Sequence, residues 1–209
     1  MKVIVFGATG TVGRLAVERM LKDGHDVTAF ARHPEKLELA NPHLSLAAGD
    51  AFSEDDVAAA IEGHDAAVIT LGAGISRTSR IRSQGTLNVI RGMQKHGVRR
   101  LICQSTLGAH ESWSNLNFFW KRIMFGFLLK PVFRDHELQE QLVRASGLDW
   151  TIVRPSAFTD EPARGGFIED VRPGERKLKL KLPRADLAAF LSRQLGDTRY
   201  FCRAVGISN

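Results

Sequence analysis

Short apolar runs alternate with amphipathic stretches along most of the chain. The apolar runs are of strand length and nearly free of charge, as is typical of strands buried on both faces of a parallel sheet. The stretches between them repeat apolar positions with helical spacing, and glycines follow several as stop signals. Predicted strands cover residues 2–6, 25–32, 43–50, 65–72, 99–106, 148–156 and 200–208, and predicted helices cover 11–24, 53–63, 83–97, 134–147 and 184–195. This alternation predicts a doubly wound α/β fold, a mostly parallel sheet with helices on both faces.

The second half of the chain is less regular. Residues 157–175 are rich in Gly, Pro and charge, which predicts mostly loop. In residues 176–183 lysines and leucines alternate strictly, so a strand there has one basic face and one apolar face. We interpret this segment as a lysine-guarded edge strand, and an anion-binding surface is the alternative.

Length, charge and cysteine content narrow the functional classes. A chain of 209 residues suits one domain over residues 1–209. The net charge of +6 is dispersed and accompanies no nucleic-acid-binding motif, so we expect an anionic small molecule rather than nucleic acid. The two cysteines lack metal-ligand spacing, and no metal site is predicted. The first residues carry no export signal, which predicts a cytoplasmic location.

Three glycines at three-residue intervals follow the first predicted strand. Glycine lets a phosphate approach the backbone N–H groups of a helix N-terminus, because no Cβ stands in the way. The spacing is G-x-x-G-x-x-G and not G-x-G-x-x-G, and it is weak on its own. Its position between a strand and a helix nevertheless predicts a dinucleotide site rather than a plain tight turn. The candidate pyrophosphate-binding residues are Gly7, Thr9, Gly10, Thr11 and Val12.

The residues after the next strands bear on which cofactor binds. Arg32 ends the second strand in place of the acid that would bind a ribose 2′-hydroxyl, and a guanidinium favours a 2′-phosphate. We therefore predict NADP in preference to NAD. Asp50, followed by Ala51, ends the third strand and is a candidate to accept from the adenine amine; capping of the next helix is the alternative. Leu71 and Gly72 follow the fourth strand and are expected beside the middle of the cofactor.

Residues 117–133 combine six aromatic side chains with three cationic ones. The stretch is too short and too charged to span a bilayer. Three functional interpretations remain open: an apolar lid over a flat aromatic substrate, a homodimer face, or a peripheral membrane contact. An irregular helix packed on the sheet edge is the structural alternative.

Several motifs together resemble those of the atypical short-chain dehydrogenases. More narrowly, the chain is similar to the NmrA-like, NAD(P)H-binding group that includes biliverdin-IXβ/flavin reductase. The resemblance covers nearly all of the chain and implies a Rossmann sheet of about seven strands, with substrate held over the nicotinamide mainly by residues 106–175. The motifs that carry it are "GATGTVG", "AR" after strand two, "GD", "TLGAG", "GTLNVIRGMQKHGVRRLI", "SGLDWTIVRPS" and "PRADLAAFL".

The resemblance also shows what this chain lacks. Ordinary members carry Tyr-x-x-x-Lys on the helix before "SGL", where tyrosine acts as an acid. Here Val132 stands at the tyrosine position and His136 at the lysine position. The serine position remains as Ser105, and Pro155 falls where the family places a loop beside the nicotinamide. Ser105 and His136 are thus the candidate catalytic residues. Ser105 is predicted to contact the nicotinamide or to cap a loop, and His136 to titrate near neutrality or to be structural.

A site without the tyrosine suits an acceptor that takes its proton from water, such as a flavin, a quinone or a similar conjugated molecule. The sequence therefore predicts an NADPH-dependent reductase. The rival interpretation is a non-catalytic regulator or scaffold of the NmrA-like type, which senses NADP through the same fold.

Overall fold

A mixed sheet of eight strands forms the centre of the computed structural model, which describes residues 1–74, 76 and 78–209. Its order is β3-β2-β1-β4-β5-β6-β10-β8, and all neighbouring strands are parallel except the β10–β8 pair at one edge. The strands are β1 (Lys2–Phe6), β2 (Asp26–Ala31), β3 (Leu44–Ala48), β4 (Ala66–Ile69), β5 (Arg100–Gln104), β6 (Asp149–Pro155), β8 (Ile168–Glu169) and β10 (Arg203–Ser208). The reversal of strand order between β1 and β4 creates a crevice at the carboxyl edge of the sheet.

Helices cover both faces of this sheet. One face carries α1 (Thr11–Lys22) and α5 (Arg184–Arg193), and the other carries α2 (Glu54–Ile61), α3 (Ile81–His96) and α4 (Lys130–Arg144). Two hydrophobic cores lie on opposite faces of the sheet, and alternate residues of β1 pack into one or the other. Residues 3–6 are therefore all fully buried, which explains why all four are apolar. The predicted doubly wound α/β fold is confirmed, and the topology is that of a Rossmann fold.

The connections between β5 and β10 differ most from the sequence-based expectations. A 3₁₀ helix (His110–Asn115) and a π-helix (Phe119–Leu128) precede α4, which begins at Lys130 and so earlier than predicted. The segment predicted as mostly loop contains β8 and also β7 (Ala157–Thr159). Strand β7 pairs with β9 (Lys181–Pro183) in a separate two-stranded parallel sheet.

The predicted lysine-guarded strand over 176–183 is wrong for its first five residues. Only Lys181–Pro183 is a strand, and it belongs to the small sheet. Leu180 has a φ of 54°, a left-handed conformation that interrupts an extended chain immediately before β9. Lys179 instead donates its backbone N–H to the carbonyl of Asn209 at 2.6 Å. The alternation of lysine and leucine therefore reflects a segment whose Leu180 and Leu182 are buried, not a continuous edge strand.

Candidate functional site

The turn between β1 and α1 brings backbone unusually close to backbone. A Cβ built on Gly13 would lie 2.1 Å from the carbonyl oxygen of Gly7, and one on Gly7 would lie 2.8 Å from that of Thr70. Gly7 also has a φ of 84°, which a residue with a side chain rarely adopts. Gly10 is the N-cap of α1, and no side chain in the described part of the chain caps this helix. The first-turn N–H groups of α1 are therefore left to bind an anion.

A cleft of about 980 Å³ runs along the carboxyl edge of the sheet. The structure brings every cofactor-binding candidate to this cleft, together with both catalytic candidates. Whether each of them contacts a cofactor stays a prediction. The candidates are Gly7, Thr9, Gly10, Thr11, Val12, Arg32, Asp50, Ala51, Leu71, Gly72, Ser105, His136 and Pro155.

At the β2 end of the cleft, Arg32 is exposed and forms no salt bridge with a described residue. Its guanidinium is available to a ligand. The carboxylate of nearby Asp50 accepts from the N–H of Phe52 at 3.0 Å, and the helix cap of α2 is Ser53, whose Oγ accepts from the N–H of Asp56 at 3.2 Å. The alternative role of Asp50 as a helix cap is therefore wrong, and its proposed contact with adenine stays a prediction.

A buried charged cluster lies at the ends of β5 and β6 and reaches the cleft through Ser105. Glu140 on α4 is fully buried, and it accepts from the Ser105 hydroxyl at 2.6 Å. Arg154 on β6 is 2% exposed and donates to the same carboxylate twice, at 2.9 and 2.6 Å. Because the Ser105 hydroxyl proton points to Glu140, a ligand can only donate a hydrogen bond to Ser105.

Arg154 joins a second carboxylate to this cluster. Its Nη1 lies 2.9 Å from Oε1 of Glu111, which belongs to the 3₁₀ helix after β5. Partial burial opposes ionisation of Glu111, but the hydrogen bond from Arg154 and the charges of Arg154 and Arg144 outweigh it and lower the pKa of Glu111 to about 2. The cluster thus ties the segment after β5 to β6 and α4 over the whole neutral pH range.

Apolar and aromatic side chains enclose the other end of the cleft. Trp120, Phe125 and Leu129, from the π-helix and the residue after it, face inward. Phe125 stacks on the buried Phe133 with ring centroids 4.6 Å apart, and Trp120 packs on Phe125 at 5.4 Å. Phe158 of β7 and Leu180, the residue before β9, also line this end of the cleft. This half of the cleft is thus lined mainly by apolar and aromatic side chains.

The outer side of the π-helix region remains in solvent: Phe118 and Phe127 are 74% and 78% exposed. Residues 117–133 thus combine a wall of the cleft with an exposed aromatic surface. Within residues 1–74, 76 and 78–209, no helix is long and apolar enough to cross a membrane. Contact of this surface with a second copy of the chain or with a membrane stays a prediction.

Comparisons with known proteins agree with this geometry. The model of a family described as NAD(P)H-binding matches residues 7–198, which include the glycine turn and α5. The chain belongs to this family.

Among relatives of this NAD(P)H-binding protein is the uncharacterised sugar epimerase YhfK of Bacillus subtilis, 31% identical over 176 residues, which are 79% of this chain and 76% of the relative. The anaerobillin reductase ChuY from Escherichia coli O157:H7 superposes with a TM-score of 0.83 at 25% identity, over 100% of this chain and 97% of that one. A short-chain dehydrogenase/reductase of Veillonella parvula solved with NADP also gives 0.83, at 15% identity, over 100% and 94% of the two chains. The NAD(P)H-binding chain spans 31–62% of the length of several other curated relatives.

In this NAD(P)H-binding protein, the positions of the Tyr-x-x-x-Lys pair both face the cleft. They hold Val132 and His136. Nδ1 of His136 lies 3.2 Å from Oε1 of Gln139, whose amide nitrogen is directed to Thr86 at 3.0 Å. Gln139 is therefore an acceptor for the imidazole, and the proton of the neutral ring is on Nδ1. Nε2 then carries a lone pair.

The expectation that His136 titrates near neutrality is wrong. Burial, helped by the charge of Arg82, lowers the pKa of His136 to about 3. The imidazole is neutral at physiological pH, so it has no imidazolium proton to give to a substrate. The sequence could not show this, because neither the burial of one helical histidine nor the approach of Arg82 from another helix follows from local pattern.

Three residues of the site escaped the sequence analysis. Glu140 and Arg154 were visible only as a charged residue on a helix and an arginine ending an apolar strand, and nothing in the spacing pairs them. The signal for Arg154 was its position in "DWTIVRP", since a charged residue in a strand buried on both faces needs a partner. Arg82, at the start of α3, also lines the cleft and carried no such signal.

Proposed function

We propose that this protein is an NADPH-dependent reductase of a flat, conjugated small molecule such as a flavin or a quinone. The observation that carries the proposal is that one continuous cleft joins the glycine turn to the aromatic pocket. A dinucleotide laid along the carboxyl edge of the sheet would extend from Arg32, past the N-terminus of α1, to Ser105. The anaerobillin reductase and the NADP-bound structure among its neighbours support this assignment.

The dinucleotide end is built from backbone, and the residues there have distinct roles. Thr9, Gly10, Thr11 and Val12 would present the N-terminus of α1 to the pyrophosphate, and Gly7 would let the turn pack closely on the backbone of Thr70. Arg32 would bind the 2′-phosphate, which makes NADPH the preferred cofactor. Asp50 and Ala51 would border the adenine, and Leu71 and Gly72 the ribose and phosphates.

At the reactive end, the bound cofactor would supply hydride, and the protein would supply orientation. Ser105, held by Glu140, offers an oxygen that can accept from the nicotinamide amide, and Pro155 borders the same end. Trp120, Phe125 and Phe158 would sandwich the acceptor and exclude water. We assign the acceptor site to residues 106–175, extended by Leu180 and Arg184. We also propose that residues 1–209 form a single domain and that the protein acts in the cytoplasm.

Val132 and the neutral His136 provide no acid at the tyrosine and lysine positions. This favours an acceptor whose reduced form takes a proton from water. The same observation keeps a second candidate function in view, namely a regulator that binds NADP without turnover.

Fluorescence titration with NADPH and NADH tests the cofactor assignment. We expect NADPH to bind more tightly, and Arg32→Ala to weaken NADPH by about tenfold to a hundredfold while leaving NADH nearly unchanged, because a charged hydrogen bond is worth about 1.5–3 kcal/mol. Arg14→Ala is the matched control, since Arg14 lies on α1 and pairs on the surface with Glu18. Equal loss of both cofactors in Arg32→Ala would refute the 2′-phosphate role.

The reductase assignment is tested by adding flavins and quinones to the NADPH complex and following nicotinamide absorbance. Consumption of NADPH supports the reductase. Tight NADPH binding without turnover of any flavin or quinone would instead favour the NADP-binding regulator. If neither NADPH nor NADH binds, both proposed functions are refuted.

A further inference from the structure

The guanidinium of Arg82 lies in the wall of the cleft. Two of its three nitrogens have no hydrogen-bond partner among the described residues. Arg82 is the second residue of α3. Its Nε and Nη1 are both buried and have no hydrogen-bond partner among residues 1–74, 76 and 78–209. A buried charged donor that is not paired costs free energy, so such groups are retained where something else pairs with them.

The acidic residue closest in the fold is already occupied. Asp135 accepts from the backbone N–H groups of Arg82 and Ser83 at 3.1 and 3.2 Å, and from the Ser83 hydroxyl at 2.5 Å. These bonds fix the N-terminus of α3 against α4. The Arg82 side chain forms no salt bridge within the described part of the chain, although the charge of Asp135 still favours its ionised form. Asp135 thus positions the arginine but does not neutralise it.

The guanidinium borders the cleft between the end of β4 and α4. Its Nη2 lies 3.7 Å from the position that a Cβ on Gly72 would take, and its charge reaches His136 across the helix interface. The two other arginines that line the cleft in the described part of the chain lie elsewhere. Arg32 follows β2, and Arg184 forms an ion pair with Asp160 and covers the ring of Phe158. Arg82 is therefore the arginine of the cleft that is both partly buried and without an ionic partner among the described residues.

We propose that Arg82 forms an anion subsite of the cleft, which binds a carboxylate or phosphate of the ligand. A guanidinium binds either group through charge-assisted hydrogen bonds, and Nη2, which borders the cleft beside Gly72, is the donor that a ligand would meet first. The proposal rests on the proposed function for its ligand. The anion belongs either to the acceptor, which would then be an acidic conjugated molecule, or to the dinucleotide.

Two flavins that share one ring system separate these sources: FMN carries a phosphate, and riboflavin carries none. The proteins compared are the full chain, Arg82→Met and Arg80→Met. Arg80 is the exposed residue at the N-cap of the same helix, so the control makes the same charge change outside the cleft. NADPH binding and flavin binding in the presence of NADP are each measured by fluorescence.

Arg82→Met is expected to weaken the binding of either NADPH or FMN by about tenfold or more, while Arg80→Met weakens the binding of neither. Loss of FMN binding with riboflavin unchanged assigns the subsite to the acceptor. Loss of NADPH binding with the ratio of FMN to riboflavin unchanged assigns it to a cofactor phosphate. A folded Arg82→Met protein that binds NADPH, FMN and riboflavin as the unmodified protein does would overturn the proposal.

A readout without any organic ligand keeps this test separate from the proposed function. Removing a buried charge without a partner should raise the unfolding temperature of Arg82→Met in plain buffer. Inorganic pyrophosphate should then stabilise the unmodified protein and Arg80→Met more than Arg82→Met. If the unmodified protein binds no NADPH but shows this difference, the proposed function fails and the anion subsite stands. Equal stabilisation of all three proteins by pyrophosphate would count against the subsite.

Discussion

The glycine turn after β1 lines the cleft, and the charged cluster at the ends of β5 and β6 reaches the same cleft through Ser105, but the two are built in opposite ways. The turn lies within one short segment, in which Gly7 and Gly13 have no side chain, so that the Gly7 carbonyl and the Gly13 Cα can approach. The cluster consists of side chains from separate segments of the chain: Ser105 after β5, Glu111 of the 3₁₀ helix, Glu140 of α4 and Arg154 of β6. The first is a local device, and the second exists only in the folded protein.

This difference indicates where each half of the site is vulnerable. The turn tolerates no added volume, because its contacts are backbone to backbone and cannot move independently. The cluster tolerates no unbalanced charge, because Glu140 and Arg154 are both out of solvent. Three substitutions test this comparison.

The largest effect is expected from Glu140→Ala. It leaves the Arg154 guanidinium buried with only the partly exposed Glu111 as a partner, and breaking a buried ion pair costs about 3–5 kcal/mol. Chemical unfolding measures the loss. Glu18→Ala is the control, since Glu18 pairs with Arg14 on the surface of α1 and should lose less than about 0.5 kcal/mol.

A double variant sharpens this prediction. Glu140→Ala is costly because it leaves the charge of Arg154 buried without its main partner. The double variant Glu140→Met/Arg154→Met should therefore lose less free energy of unfolding than the sum of the losses in Glu140→Met and Arg154→Met. Additive losses, or a Glu140→Ala protein as stable as Glu18→Ala, would mean that the pair is not a unit.

A smaller loss is expected from Gly13→Ala. The new methyl group would lie 2.1 Å from the Gly7 carbonyl oxygen, so α1 has to move away from β1, at a cost of about 1–3 kcal/mol. Gly196→Ala adds the same methyl group where nothing lies within 4 Å, and it should leave the free energy of unfolding almost unchanged. The displaced helix should also weaken NADPH binding, which the fluorescence titration reports. A Gly13→Ala protein as stable as Gly196→Ala would show that the turn has room to spare.

The smallest effect concerns the pH dependence of stability. In the folded protein the pKa of His136 is about 3, below its ordinary value of 6.5, so only the unfolded chain takes up this proton as the pH falls below 6.5. His136 therefore lowers stability on acidification, by about 1–2 kcal/mol between about pH 7 and about pH 5. Asparagine can replace the donor to Gln139 without titrating, so His136→Asn should lose less stability over that interval.

The unfolding free energy of both proteins at several pH values measures this difference. Glu111 does not interfere, because its pKa is lowered from 4.5 to about 2, and the stability it contributes is lost only as the pH falls below about 4.5. Parallel pH profiles for the unmodified protein and His136→Asn would mean that the imidazole titrates normally.

Strands and helices could be predicted from the sequence where the burial of side chains follows a regular pattern along the chain. All seven predicted strands of the parallel sheet are present, because an apolar run such as residues 2–6 has to be buried on both faces. The prediction failed at residues 176–183. Lysine and leucine alternate there, but the positive φ of Leu180 interrupts the extended backbone. Alternation reports which side chains are buried, and it does not report whether the chain stays extended.

The candidate site divides in the same manner. The positions of Gly7, Gly10, Gly13 and Arg32 beside the cleft could be predicted, because each follows from its place relative to one strand end. The protonation of His136 could not, since it depends on the packing of α3 against α4 and on Arg82. Nor could the commitment of the Ser105 hydroxyl to Glu140, since those residues meet only when α4 packs over β5.

The sequence by itself determined the order of the seven parallel strands and the five α-helices along the chain, the glycine turn after β1, and the absence of a Tyr-x-x-x-Lys pair from the helix α4. These are properties of neighbouring residues, fixed by steric and hydrophobic periodicity over a few positions. Only the tertiary structure decided which charges are paired, which are buried without a partner, and which titrate. Those properties depend on desolvation and on charges a few ångströms away, and both are set by elements that are distant in the chain.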